Sequence, residues 1–360
     1  ILWKSDIALP GHNSPLVWDD HVYLTGATDE EQKVYCYSAE TGDLLWTGDV
    51  PIPANPARDD MDIMPDTGYA ACTAVTNGRA VCAIFAGGDM GCFSSEGQLL
   101  WEKHLGIPDS MYGYAASLTA YEGHVIVQWD VGMDEGEESN SKLIALDWNT
   151  GDVVWQTHRP VSNSWSSPTV AKVGQDYQVL TAASPYVITY DAETGEEMLR
   201  EECIYGDIAA TPILTDNRII TIEPYNKMVA VNATPASNND PNILWETEDS
   251  MPDIASPLSN GTYIWTLNTE GRLGCYSVTD GSEIYAESVD GIFEASPSLV
   301  GDRLYLLSEK GVMLIAETGS EYKEIKRNEL GAKCLATPAF APGRLFIRSE
   351  DALFCIGETP

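Results

Sequence analysis

Seven residues of types that bind ligands or do chemistry sit two or three positions ahead of a small residue that opens an apolar run: His12, Tyr69, Tyr114, Trp165, Asp253, Phe293 and Glu294. Of these, His12, Asp253 and Glu294 are ionisable, and a carboxylate pair such as Asp253 and Glu294 could coordinate a calcium ion or divide acid and base roles. Trp165, Tyr69 and Tyr114 are the side chains on which a sugar or another flat small molecule would stack. A second group is acidic. Asp60, Asp62 and Asp66 lie in a proline-rich link, residues 51–68, and Asp130 and Asp134 lie in an insertion, residues 130–141, where they could gather a cation or face a basic partner. The insertion has a faint calcium-loop spacing, but Gly132 stands where such a loop needs a ligand. The histidines are scattered and no G-x-S-x-G, P-loop or H-E-x-x-H occurs, so hydrolase, nucleotide-binding and zincin chemistry find no support.

The elements that must position these residues repeat. The stretch Ala39 to Trp46, AETGDLLW, returns in altered form about every 40 to 50 residues, at Ser94 to Trp101, Leu146 to Trp155, Asp191 to Leu199 and Ser277 to Tyr285. Each copy follows an apolar run, breaks at Gly and resumes with apolar residues that mostly end in an aromatic, which reads as strand, turn, strand. Upstream of the copies stand small residue–proline pairs: Ser14-Pro15, Ser167-Pro168, Thr211-Pro212, Ser256-Pro257, Ser296-Pro297 and Thr337-Pro338. Cys72-Thr73 and Ser117-Leu118 fill the two degenerate places, giving eight repeats. A further hairpin in each, such as LVGDRLYLL, brings the count to four antiparallel strands per repeat, A to D.

Four-stranded units at this period predict an all-β fold, a single eight-bladed β-propeller over residues 1–360. A blade that is apolar on both faces is stable only between neighbours. The chain opens with ILWKSDI, a D strand lacking its A, B and C, and finishes with A, B and C alone, so residues 1–9 are expected to pair with residues 334–360 and complete the eighth blade. In antiparallel blades the D-to-A links and B-to-C loops leave one end, which puts the links 51–68 and 130–141 on a single face, where the seven candidates ahead of the A strands are expected to line the mouth of the central channel.

The A-x-D-x-x-T-G-x-x-x-W type of turn at Asp147 to Trp155 and Ala39 to Trp46 resembles the repeat of the PQQ-like quinoprotein propellers, a family that includes quinoprotein alcohol dehydrogenases and, closer in size, BamB-type envelope proteins. The resemblance implies that Trp46, Trp101 and Trp155 dock one blade on the next. The dehydrogenase branch holds its quinone beside two adjacent cysteines, with a calcium ion and a catalytic Asp. No two cysteines are adjacent here, which weighs against PQQ, and a quinone- or metal-dependent oxidoreductase is the second reading behind a non-enzymatic scaffold that binds protein or peptide partners. A glycan or small-molecule binder is the third.

With 55 acidic against 20 basic residues the formal charge is −35, which excludes phosphate-rich partners such as nucleic acid. No run is long and apolar enough to span a membrane. Ile1 is not an initiator methionine, so a signal or anchor is expected ahead of it and the location expected is periplasmic, cell-envelope or secreted. Of the eight cysteines, Cys36, Cys92, Cys275 and Cys355 share one C-strand position and read as small apolar residues between blades. Cys72 and Cys82 sit on the two strands of one hairpin, but the expected two-residue Asn77-Gly78 turn sets Cys72 opposite Ala83 and Cys82 opposite Thr73, on opposite faces, so that only a register change would pair them.

Overall fold

The computed structural model describes all residues except 56–57, 59–60, 62, 236–241 and 359–360. Its strands form eight four-stranded antiparallel sheets, the blades of a β-propeller, with neighbours in chain order within each sheet. Blade 1 runs Leu16–Trp18, His21–Ala27, Gln32–Ser38 and Leu44–Asp49. Blade 8 is the exception in order: Ala339–Ala341, Arg344–Arg348 and Ala352–Gly357 are completed by the first strand of the chain, Trp3–Asp6, in a register from Trp3↔Cys355 to Asp6↔Ala352. The expected closure by the two ends is thus observed. The chain divides into two compact units, one of Ile1–Asp134, Glu138–Arg159 and Leu335–Pro360, holding blades 1, 2, 3 and 8, the other of Glu135–Glu137 and Pro160–Cys334, holding blades 4 to 7.

Burial follows strand position. B and C strands are almost wholly buried, as in Ala80–Ile84 and Leu143 to Leu146, while D strands alternate exposed and half-buried residues because they form the outer edge. In blades 1 to 7 the C–D pairing slips by one residue at an equivalent place, between Cys36 and Tyr37 in blade 1, for example, and between Cys275 and Tyr276 in blade 6. Such a bulge adds local twist and turns the D strand toward the adjacent blade.

The turn motif shows why its residues recur. The indole Nε1 of Trp46 donates to Ser95 O at 2.9 Å, and that of Trp101 to Trp148 O at 2.9 Å. Trp3 repeats the contact on Ala39 O at 3.2 Å, and in the second unit Trp245 does so on Val278 O at 3.1 Å. In each case the ring lies over the glycine of the next blade's turn. A Cβ on Gly97 would come within 2.7 Å of the Trp46 ring, and one on Gly151 within 2.7 Å of Trp101. Both glycines also have positive φ, 86° and 71°, so backbone shape and indole packing both demand the missing side chain. The residue that opens the turn satisfies its backbone: Asp147 Oδ1 accepts from Asn149 N and Thr150 N, and Ser38 Oγ from Glu40 N and Thr41 N.

The small residue before proline also has a role. Ser14 N donates to Thr73 Oγ1 and Thr73 N to Ser117 Oγ, while in the second unit Thr211 N donates to Ser256 Oγ and Ser256 N to Ser296 Oγ, all at 2.9 to 3.0 Å. A hydroxyl is needed there because each satisfies the backbone N–H of the preceding blade.

Two sequence expectations are corrected. The first hairpin of blade 2 pairs Val75 with Cys82 and Thr76 with Val81, a register shifted by two from that expected, because the turn spans four residues. Asn77 Oδ1 accepts from Arg79 N and Ala80 N, and Thr76 Oγ1 from Gly78 N, which closes a wider turn. Secondly, Cys82 bonds to Cys92, directly opposite it on the adjacent strand with Cα atoms 4.0 Å apart. Cys92 is therefore half of a cross-strand disulfide within one blade rather than a filler between blades, and Cys72 is a free buried thiol.

Candidate functional site

In most blades the approach to the A strand alternates between buried and solvent-contacting residues. Counting back from the hydroxyl residue, the position two before it is in contact with solvent in every blade: His12, Ala71, Ala115, Trp165, Ala209, Ile254, Glu294 and Leu335. The position three before it is buried in six blades, at Ala70, Tyr114, Ser164, Ile208, Phe293 and Cys334, and half-buried at Gly11 and Asp253. Tyr114 is 4% exposed and stacks on Trp129 with ring centroids 5.3 Å apart, and Phe293 is 1% exposed inside the core of blades 6 and 7. Both were expected to line a mouth, and period-two geometry turns them into packing residues instead. Tyr69 is out of step by one, because the hydroxyl equivalent in blade 2 is Thr73 and its partner position is Ala70. Of the three stacking candidates Trp165 alone keeps the solvent-facing place.

Among the ionisable candidates, His12 and Glu294 face solvent in separate units, and His12 Nδ1 is 2.9 Å from Asp66 O, tying the 51–68 link to blade 1. Asp253 is held by its neighbours: Oδ1 accepts from Thr269 Oγ1 at 2.7 Å and Oδ2 from Tyr225 Oη at 3.1 Å. Asp60 and Asp62 lie outside the described residues, whereas Asp66 and Asp134 are exposed. Asp130, expected on the exposed insertion, is buried. Its oxygens receive Arg159 Nε at 2.6 Å and Nη2 at 3.0 Å, and Gln128 Nε2 at 2.8 Å, with both charged side chains 0% exposed. Asp130 therefore anchors the base of the insertion. Among the described residues, no three His, Cys, Asp or Glu side chains gather as metal ligands.

Sequence reasoning missed three further features. Asp89, 1% exposed, accepts from Arg58 Nη2 at 2.6 Å and Gln32 Nε2 at 3.1 Å and lies 2.8 Å from His104 Nδ1, so Arg58 pins the 51–68 link to blade 2. In the second unit Asp249 receives Arg272 and Tyr276. Burial would raise its pKa, but those hydrogen bonds outweigh it and hold the carboxyl below its usual range. The third feature is a set of apolar side chains on the links of blades 4 to 7: Tyr205, Tyr225, Ile254 and Ile292 are 51%, 72%, 41% and 49% exposed. All lie on D-to-A links or a B-to-C turn, which leave the blades at one end. Tyr225 is held with φ of 62°, a left-handed backbone that is costly for a bulky residue and that presents its ring outward. The signal that could have found it is its place in a B-to-C turn as short as EPYNK.

The free thiols offer no nucleophile. Cys36, Cys203, Cys275 and Cys334 are each pushed up to about 12 by burial, which keeps them protonated and inert near neutrality.

A family model described as outer membrane protein assembly factor BamB matches residues 1–128 and, in a second alignment, 30–287. The chain belongs to this family. The BamB of Kangiella koreensis is 24% identical over 227 residues, 62% of this chain and 52% of that protein, so the chain spans about half the length of this curated relative. Among solved structures, BamB from Moraxella catarrhalis superposes with a TM-score of 0.69 at 16% identity over 98% of both chains. A europium-containing methanol dehydrogenase gives 0.70 at 11% identity, covering 96% of this chain and 83% of that one, and a quinohemoprotein alcohol dehydrogenase from Comamonas testosteroni gives 0.68 at 11%, covering 98% and 75%. At such identities the enzymes share the propeller with this BamB-family chain, and the likeness carries fold alone.

Proposed function

We propose that this BamB-family propeller is a non-enzymatic scaffold for outer-membrane protein assembly in the cell envelope, and that it binds protein partners through the link face of blades 4 to 7. Membership of a family described as outer membrane protein assembly factors supports the process. The observation that carries the surface is the outward set Tyr205, Tyr225, Ile254 and Ile292, with Tyr225 fixed in a left-handed backbone and its hydroxyl tethered to Asp253. Rigid tyrosines with one polar handle give contact area at small entropic cost, which is why they dominate recognition surfaces. The Cys82–Cys92 bridge supports an oxidising compartment.

Deleting the gene in its own host is expected to lower outer-membrane protein levels. The wild-type gene restores them, and the Tyr205→Ala, Tyr225→Ala double variant, expressed equally and with an unchanged thermal midpoint, does not. Normal outer-membrane protein levels in the deletion strain would end this reading; full rescue by the double variant would remove the surface from it.

A further inference from the structure

Four of the nine methionines, Met61, Met64, Met111 and Met133, stand on three links, 51–68, 105–117 and 130–141, and all four belong to the first unit. Methionine is among the residue types most often buried, and Met90, Met228, Met251 and Met313 follow that rule at 5% exposure or less. Met64, Met111 and Met133 do not: they are 37%, 60% and 80% exposed.

Main-chain hydrogen bonds join the three links. Met64 N donates to Met111 O at 3.1 Å, and Gly132 N donates to Asp109 O at 3.0 Å. Met64 and Met111 therefore leave neighbouring stretches of backbone, and Met133 follows directly on the residue that ties its loop to the second link. These joints are made by backbone atoms and do not call on the thioethers. The first link is fixed on either side of Met64, by Arg58 on Asp89 and by Asp66 O on His12. Three flexible side chains are thus carried on backbone that is already in place, which lowers the cost of gathering them round a ligand.

A thioether sulfur is a neutral, soft, polarisable donor, poorly suited to calcium or magnesium and well suited to Cu(I). The surroundings favour a cation. Asp66, Asp109 and Asp134 are exposed on the same three links, and the one Lys or Arg in their sequences is Arg58, which is paired with Asp89.

We propose that Met64, Met111 and Met133 together bind one soft monovalent cation, Cu(I), for which Ag(I) is the air-stable probe. The site is independent of the link face of blades 4 to 7 and of the assembly role.

The test titrates silver nitrate, in chloride-free buffer, into the full chain carrying carbon-13 at its methionine methyls, with signals assigned by single Met→Leu variants. The expected result is a saturable shift of the Met64, Met111 and Met133 signals, complete at one ion per chain. Met198, which is 48% exposed but lies outside these links, should stay in place with the buried Met90, Met228, Met251 and Met313. The Met64→Leu, Met111→Leu double variant keeps size and apolar character at two exposed positions, so its thermal midpoint without silver should be unchanged while its affinity for Ag(I) falls about 10-fold or more. Cu(I) offered anaerobically as its bicinchoninate complex should pass to the wild type and not to the double variant. The proposal is overturned by methyl signals that do not move, by a Met198 signal that moves at the same silver concentrations, by equal affinity in the double variant, as silver held on thiols would give, or by copper that stays with its chelator.

Discussion

Asp249 shows what one carboxylate contributes here and when it stops contributing. Its folded pKa lies below the ordinary 3.8, so its stabilisation is fully present above that value and is lost as pH falls through the folded one. Asp249→Asn is therefore expected to lower the urea midpoint at pH 7, and the gap to the wild type should close as dilute samples are taken from pH 5 to pH 2.5; a gap that stays constant would show that the charge has no part in it. The charged residues that matter most were the least legible in the sequence. Asp130 and Arg159 are 29 residues apart, Arg58 and Asp89 are 31 apart, and Arg348 reaches Thr25 across 323. Pairs at such separations leave no local spacing to read, since a solvated carboxylate and a buried one look alike in a string of letters.

At the scale of the strand and turn, the sequence was far more informative, because the same local contacts are repeated until their residues stand out. Gly, Trp and the turn-opening Asp or Ser each have one job, and all eight blades follow. Where a copy is degenerate, the reading slipped: Cys72 and Thr73 could not be told apart without the hydroxyl's partner, and the displacement by one put Tyr69 in the wrong row. The docking contact makes a quantitative expectation. Trp101→Ala removes a ring that is 7% exposed and its hydrogen bond to Trp148 O, and should cost about 3 to 5 kcal/mol in chemical denaturation. Gly151→Ala attacks the same joint from the other side, through the positive φ and the 2.7 Å approach to the indole. Combining the two should cost less than the sum, since each alone already breaks the contact. Strict additivity would mean that the two residues do not act on one another.

For the whole molecule, the propeller and its family leave the cofactor question to experiment, because quinone enzymes and assembly factors share this architecture. Titration with PQQ, with and without calcium, is expected to give neither a saturable absorbance change nor a rise in thermal midpoint at concentrations well above micromolar. Either response would move attention to Asp253 and Glu294. Blade 8 carries a different kind of consequence, one of time. Its outer strand, Trp3–Asp6, leaves the ribosome before the other strands and its partner, Ala352–Gly357, after them. At roughly 5 to 20 residues per second synthesis alone keeps the opening strand about 20 to 70 s from its place, and passage to the envelope location proposed above adds to that wait. Through that interval Trp3 has no sheet to join, and the docking site for its ring on Gly42 of blade 1 lies open. A chaperone that holds the nascent chain would therefore act at one defined point, keeping a single short strand from pairing with a neighbour's edge until the last sheet is made.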